Sequence, residues 1–240
     1  MSEDTSLRLP SGGTMRVAVA LPEGPGPHPG VVVIHEAFGL DADIRSICDR
    51  FAREGYAAIA PDLYSTGWTP QCMVRIFRDM GREGRTPTRA LLELARDDLA
   101  AMPQVDGDRI AVIGFCLGGG FALAMALAGG LRASSINYGR VPPGTDRLRG
   151  ACPIVASYGG KDGSLSGVAA RLRDSLTELG IANDVKEYPE AGHGFINQAD
   201  HWMARIMVRF GAGYREEEAE DSWKRILAFF AEHVRGDATA

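Results

Sequence analysis

Two kinds of hydrophobic pattern alternate along the chain and together predict strands separated by helices. Short apolar runs rich in β-branched residues are typical of strands buried on both faces of a parallel sheet, whereas apolar residues spaced three and four apart indicate helices. The predicted strands are residues 15–21 (a hairpin or an edge strand), 31–35, 56–60, 109–113, 154–158 and 182–188. The predicted helices are residues 42–53, 86–102, 117–127, 165–179 and 216–234.

The alternation of strands and helices predicts an α/β protein with a mostly parallel central sheet and helices on both faces. A length of 240 residues suits one domain, so we expect residues 1–240 to form a single α/β unit. In such sheets ligands bind outside the carboxyl ends of the strands. Residues that carry chemistry should therefore come directly after predicted strands.

Composition and charge exclude several classes of protein. A hydrophobic fraction of 45% and a charged fraction of 24% are ordinary for a soluble globular chain. The net charge of -5, with no long basic run, argues against nucleic-acid binding. No apolar stretch is long enough for a membrane span, and the polar, acidic N-terminus does not resemble a signal peptide. We therefore expect a cytoplasmic protein.

The cysteines and histidines predict neither a disulfide framework nor a metal site. The four cysteines are widely spaced with no CxxC pair, which indicates free thiols in a reducing compartment. His35-Glu36 could begin the zinc motif H-E-x-x-H, but Gly39 stands where the second histidine is required. We expect no metal and no cofactor.

The most informative segment is the glycine-rich turn around Cys116. A β-branched strand runs directly into Gly114-Phe115-Cys116-Leu117-Gly118-Gly119, and a helix of small residues follows. This is the nucleophile-elbow pattern with cysteine in the serine position. The alternative is a core cysteine beside a glycine turn, but the strand–turn–helix context favours a catalytic thiol. The helix N-terminus would favour a thiolate at Cys116, and the Leu117 N–H would donate to an oxyanion.

Two further residues complete a triad in the order nucleophile, acid, histidine expected of this elbow. Asp162 follows a predicted strand through Gly159-Gly160, and His193 lies in a glycine-bracketed loop after the last predicted strand. Taken singly, Asp162 could be a turn residue and His193 a solvated loop residue. In combination with Cys116, we expect His193 to act as general base and acid, and Asp162 to orient its imidazole.

At this point the sequence resembles the dienelactone hydrolases (carboxymethylenebutenolidases), α/β-hydrolases, over most of its length. The matching segments are Val32–Glu36, Pro61–Tyr64, Gly114–Gly119, Gly159–Asp162 and Gly192–Phe195.

The resemblance implies a role for Glu36, which could otherwise be an exposed loop residue. The family's glutamate interacts with the nucleophilic thiol and helps to generate the thiolate. A carboxylate beside a thiolate is repulsive, so Glu36 should hold a proton or swing away. By the same resemblance, the Ala37 N–H would be the second oxyanion donor.

The residues that would bind the substrate match the family less well. Its better-known members hold a substrate carboxylate with two arginines and a tyrosine, for which Tyr64 is our candidate. Asn197 stands where one arginine is expected, and it cannot supply a bidentate charged clamp. Arg75 or Arg78 is our candidate for the other, although a solvated helix face would explain both. The missing arginine suggests a different or less charged ester.

We therefore expect a cysteine-dependent hydrolase of a small ester or lactone, acting through an acyl-thiol intermediate as a monomer or homodimer. Two alternatives remain open. One is an acyltransferase or thioesterase on the same fold, and the other is a non-catalytic binding protein that keeps the fold as a scaffold.

Overall fold

Eight strands of the described chain form one central sheet. The structure is a computed structural model that describes residues 1–80, 82, 84–198 and 212–236. The strands are β1 (Glu3–Arg8), β2 (Thr14–Ala20), β3 (His28–Ile34), β4 (Ala57–Pro61), β5 (Val105–Phe115), β6 (Ala133–Asn137), β7 (Ile154–Gly159) and β8 (Asn183–Tyr188). Their order is β1-β2-β4-β3-β5-β6-β7-β8. The pairs β1–β2 and β2–β4 are antiparallel and all other neighbours are parallel.

Six α-helices are described besides short 3₁₀ turns. They are α1 (Ala42–Arg53), α2 (Thr69–Asp79), α3 (Pro87–Ala100), α4 (Leu117–Ala126), α5 (Val168–Glu178) and α6 (Glu216–Phe230). The start of α1 is capped by Asp41, whose carboxylate accepts a hydrogen bond from the Ile44 N–H at 3.0 Å. No helix within the described residues is both long and apolar enough to cross a membrane.

Helices cover both faces of the sheet because successive side chains of a strand point to opposite faces. Val31 and Val33 of β3 belong to the apolar cluster that contains Phe51 of α1 and Trp223 of α6. Their neighbours Val32 and Ile34 belong to a second cluster, which contains the buried leucines of α3 and Phe121 of α4. The predicted α/β architecture is therefore confirmed.

Three elements, β1, β6 and α2, were not predicted from the sequence. Strand β6 was missed because it is polar. Its sequence, Ala-Ser-Ser-Ile-Asn, is polar yet wholly buried. The Ser134 hydroxyl donates to the Ala122 carbonyl, and the Asn137 Nδ2 donates to the Gly114 carbonyl, so both of these donors are paired although they are buried. The edge strand β1 is almost wholly exposed. In α2 the buried residues Cys72 and Ile76 are spaced as in a helix, but the exposed apolar residues Met73, Val74 and Phe77 obscure that spacing in the sequence. The predicted last helix also divides, since α6 ends at Phe230 and a π-helical turn, Ala231–Arg235, follows.

The topology brings the candidate residues to one edge of the sheet. Glu36 follows β3, Cys116 follows β5, Asp162 follows β7 and His193 follows β8. Residues 199–211 and 237–240 of the predicted 1–240 domain lie outside the described residues.

Candidate active site

Cys116 occupies a sharp turn between β5 and α4. Its backbone has φ 54° and ψ -115°, a conformation that L-residues rarely adopt. Glycines make the turn possible: a Cβ on Gly114 would collide with the Gly118 carbonyl group, and one on Gly118 would collide with the Ile34 carbonyl oxygen. The Cys116 N–H donates to the Asn137 carbonyl at 3.0 Å, which ties the turn to β6. This strained turn places the half-buried thiol of Cys116 directly after the carboxyl end of β5.

Asp162 and His193 are joined by a direct hydrogen bond. The distance from Asp162 Oδ2 to His193 Nδ1 is 2.6 Å. The other carboxylate oxygen of Asp162 accepts from the Ser164 N–H at 3.1 Å and from the Ser164 hydroxyl at 2.6 Å. Burial would raise the pKa of Asp162, but the hydrogen bonds from His193 and Ser164 outweigh it and hold the pKa below its ordinary value. Asp162 is thus an ionised, oriented acceptor for the imidazole.

The imidazole of His193 lies between this carboxylate and the Cys116 thiol. Burial alone would lower the pKa of His193, but hydrogen bonds to Asp162 and to Cys116 raise it to about 10. At neutral pH the charged imidazolium is therefore favoured. The ring also packs against Tyr138, with 5.1 Å between ring centroids, which restricts its orientation. This order of aspartate, histidine and cysteine is one that could activate a thiol nucleophile.

Glu36 lies buried beside this constellation, with 8% of its surface exposed. Burial is the main cause that raises the pKa of Glu36 to about 8, and the nearby carboxylate of Asp43 adds to it. His193 opposes the shift, which shows that the Glu36 carboxyl lies in the electrostatic field of the imidazole. At neutral pH the protonated, uncharged form of Glu36 is favoured.

His35, for which the sequence suggested only a metal motif, orients the backbone of the next two residues. Its Nε2 accepts from the Leu63 N–H at 3.2 Å, so its Nδ1 carries the proton and donates to the Glu36 carbonyl oxygen at 2.6 Å. Burial lowers the pKa of His35, which favours this neutral tautomer. In a trans peptide the N–H points away from the C=O. His35 therefore sets the direction of the Ala37 N–H, the second candidate oxyanion donor.

Leu117 and Ala37 lie on elements that suit oxyanion donors. Leu117 is the first residue of α4, where N–H groups have no partner within the helix. The Ala37 carbonyl accepts a hydrogen bond from the Tyr64 hydroxyl at 2.9 Å, so Tyr64 fixes the loop that carries Ala37. The ring of Tyr64 packs against His35 with 5.2 Å between centroids.

The two candidate arginines lie together on α2. The Arg75 Nη2 donates to the Leu63 carbonyl at 2.8 Å, and the exposed Arg78 lies 3.6 Å from Asp79. Both line a cavity of about 470 Å³, together with Trp68 and Cys72. None of the three triad residues lines this cavity.

Asn197 belongs to a buried polar network that the sequence did not reveal. Its Oδ1 accepts a short hydrogen bond from the Tyr138 hydroxyl, and its Nδ2 donates to Asp43 Oδ2 at 2.6 Å. Tyr138 has φ 40°, in the left-handed region, which directs its ring between His193 and Phe195. The partners are 59 and 154 residues from Asn197, so no local pattern could have predicted the network.

Comparison with known proteins identifies the family of this chain. The model of the family described as "Dienelactone hydrolase family" matches residues 15–234. The "Putative carboxymethylenebutenolidase" of Escherichia coli (strain K12) is 31% identical over 226 residues, which cover 87% of this chain and 78% of the relative. The protein of the same name from Saccharolobus solfataricus is 27% identical and covers 91% of this chain and 94% of the relative.

A solved structure supports the same family assignment. The "Putative Dienelactone Hydrolase" of Klebsiella pneumoniae superimposes with a TM-score of 0.77 at 29% identity, covering 97% of this chain and 98% of that one. The resemblance seen in the sequence is therefore confirmed. The chain belongs to the dienelactone hydrolase family and is a hydrolase of the α/β-hydrolase fold that acts on ester or lactone bonds.

Proposed function

We propose that this protein hydrolyses a small ester or lactone with Cys116 as its nucleophile. The observation that carries the proposal is the 2.6 Å bond between Asp162 and His193 beside a thiol held on the strained turn. The Cys116 sulfur attacks the carbonyl carbon and the carbonyl electrons move to the oxygen. The N–H groups of Leu117 and Ala37 stabilise the oxyanion.

His193 takes part in the two steps that follow, which are the loss of the leaving group and the hydrolysis of the acyl-thiol. The C–O bond breaks, the leaving oxygen takes the imidazolium proton, and an acyl-thiol remains on Cys116. In a lactone the leaving oxygen stays attached to the acyl chain, so the first step opens the ring. His193 next takes a proton from water, whose oxygen attacks the acyl carbon and releases the carboxylic acid and the Cys116 thiolate.

Glu36 takes the role of a gate in this proposal. Because its uncharged form is favoured near neutral pH, it can lie close to the thiolate without repulsion. If Glu36 ionised while Cys116 carried its charge, the two anions would destabilise each other in a poorly solvated site. Substrate binding would therefore be coupled to the position or the protonation of Glu36.

The substrate contacts remain proposals as well. Tyr64 would act next to the proposed oxyanion donor, because its hydroxyl donates to the Ala37 carbonyl. Arg75 and Arg78 would contact a substrate only if it reached the cavity on α2. Asn197 binds Tyr138 through its Oδ1 and Asp43 through its Nδ2, so in this proposal it acts by holding these two side chains. We further propose a small-molecule substrate, a single 1–240 domain, a monomer or homodimer and a cytoplasmic location.

Hydrolysis by purified wild type, Cys116→Ala and Cys116→Ser tests the proposal. The panel contains p-nitrophenyl acetate, a neutral lactone, and cis- and trans-dienelactone. Cys152→Ala is the matched control, because it removes another half-buried free thiol. We expect Cys116→Ala alone to abolish turnover and Cys116→Ser to retain a small part of it. Activity that survives Cys116→Ala would overturn the proposal, and transfer to an added acyl acceptor in place of hydrolysis would favour the acyltransferase alternative.

A further inference from the structure

Asp43, in the first turn of α1, reaches across to the loop that carries the triad histidine. Its Oδ2 accepts from Asn197 Nδ2 at 2.6 Å and its Oδ1 accepts from the Gln198 N–H at 3.1 Å. Asn197 is in turn bonded to the hydroxyl of Tyr138, whose ring packs on His193. The carboxylate of Asp43 is therefore linked to the triad imidazole through two neutral side chains.

No cation balances this carboxylate within the described part of the chain. Both of its hydrogen-bond donors are neutral amides, and they oppose the burial that raises the pKa of Asp43. Asp43 also acts electrostatically on Glu36 and on the Tyr138 phenol, and Cys116 acts on the same phenol, so these groups share one poorly solvated region. In such a region a unit charge acts over a longer range than it does in water.

The charges of the described residues that act on one another at this site do not cancel. When Cys116 reacts as the thiolate, it and the Asp162 carboxylate face one imidazolium, on His193, while the uncharged form of Glu36 is favoured. Asp43 adds a second net negative charge. An anionic substrate that approaches Cys116 must enter this field, whereas a neutral substrate is not penalised.

We infer that Asp43, held in place by Asn197, is a specificity-determining residue that makes the site select neutral substrates over anionic ones. This inference rests on the proposed function, because it concerns the molecules that reach the Cys116 thiol. It also gives Asn197 a role. A neutral amide at this position can bond Asp43 and Tyr138 without cancelling the charge that discriminates between substrates.

Alkylation of Cys116 by two reagents of nearly equal size tests the inference. Iodoacetamide is neutral and iodoacetate is an anion. In both reactions the sulfur bonds to the methylene carbon, and iodide leaves with the electron pair. Rates are read by mass spectrometry on the peptide that contains Cys116, so the other three thiols do not interfere. The measured quantity is the rate with iodoacetate divided by the rate with iodoacetamide. Because both reagents react with the thiolate, a change in the fraction of thiolate does not alter this ratio. The same ratio for free cysteine serves as the reference.

We expect Asp43→Asn and Asp43→Ser to raise this ratio roughly three- to ten-fold over wild type, as removal of one nearby charge predicts. Asp174→Asn, which removes an equal charge from the exposed side of α5, should leave the ratio unchanged. In the unmutated protein, added salt should raise the ratio relative to free cysteine, a measurement that requires no variant.

An unchanged ratio in folded Asp43 variants, or a wild-type ratio that does not rise with salt, would overturn the inference. Neither result would affect the proposed function, which fails only if ester hydrolysis does not depend on Cys116.

Discussion

Replacement of Glu36 by glutamine tests the claim that a buried carboxyl at the end of β3 retains its proton. Glutamine has nearly the same shape but cannot ionise. The difference in stability between Glu36→Gln and wild type should therefore depend on pH, and the main source of that dependence should be the titration of Glu36. Any constant effect of the substitution, such as altered hydrogen bonding, cancels when two pH values are compared.

The sign and the size follow from linkage between protonation and folding. The pKa of Glu36 is about 8 in the folded protein and 4.5 for an ordinary glutamate. Because the folded pKa is the higher one, wild type is most favoured below pH 4.5 and loses stability as the pH rises to about 8. The loss is at most about 5 kcal/mol, at 1.36 kcal/mol per unit. Because water and local motion relax buried charges, about 1–3 kcal/mol is a realistic expectation.

Urea unfolding at pH 5 and at pH 8 measures this difference. We expect Glu36→Gln to gain about 1–3 kcal/mol relative to wild type between the two pH values. Glu217→Gln, at an exposed position of α6, is the control and should show no comparable gain. If Glu36→Gln and wild type lose stability in parallel, Glu36 is ionised at neutral pH in the folded protein and the gate is wrong.

Three further predictions concern the site and its scaffold. Asp162→Asn should lower kcat by about 10⁴-fold, because it favours the wrong tautomer of His193; a rate within tenfold of wild type would show that another group orients the ring. His35→Ala should lower kcat roughly 10- to 100-fold with little change in KM, because the Ala37 N–H loses its orientation; a change in KM alone would contradict this. Gly118→Ala should destabilise the protein by about 2–4 kcal/mol in thermal unfolding, because its Cβ meets a carbonyl oxygen at the end of β3; an unchanged melting temperature would show that the elbow is less tightly packed.

The candidate triad could be named from the sequence because each member follows a recognisable strand through a glycine-containing turn. A nucleophile elbow requires glycines where the strand and helix backbones touch, and those glycines are visible in the sequence around Cys116. The expected order of nucleophile, acid and histidine then limited the candidates for the acid and the histidine to residues after Cys116. Of these, Asp162 and His193 are hydrogen-bonded in the structure.

The rest of the site could not be predicted, because its partners meet only in three dimensions. Tyr138 follows a strand whose polar sequence does not resemble a buried strand. Its position beside His193 could therefore not be predicted from the sequence. Asp43 looks like an ordinary acidic residue in the first turn of a helix, where such residues are common. Its role depends on Asn197, which lies 154 residues away.

The most direct test of the central claim is the mass of the protein after rapid acid quenching during turnover of p-nitrophenyl acetate. The account predicts a transient increase of one acetyl group, located on the peptide that contains Cys116 and absent from Cys116→Ala. It also predicts that the acyl group accumulates in His193→Ala if that variant is acylated at all, because no base then activates the water. An acetyl group on another residue, or turnover by Cys116→Ala, would contradict the account.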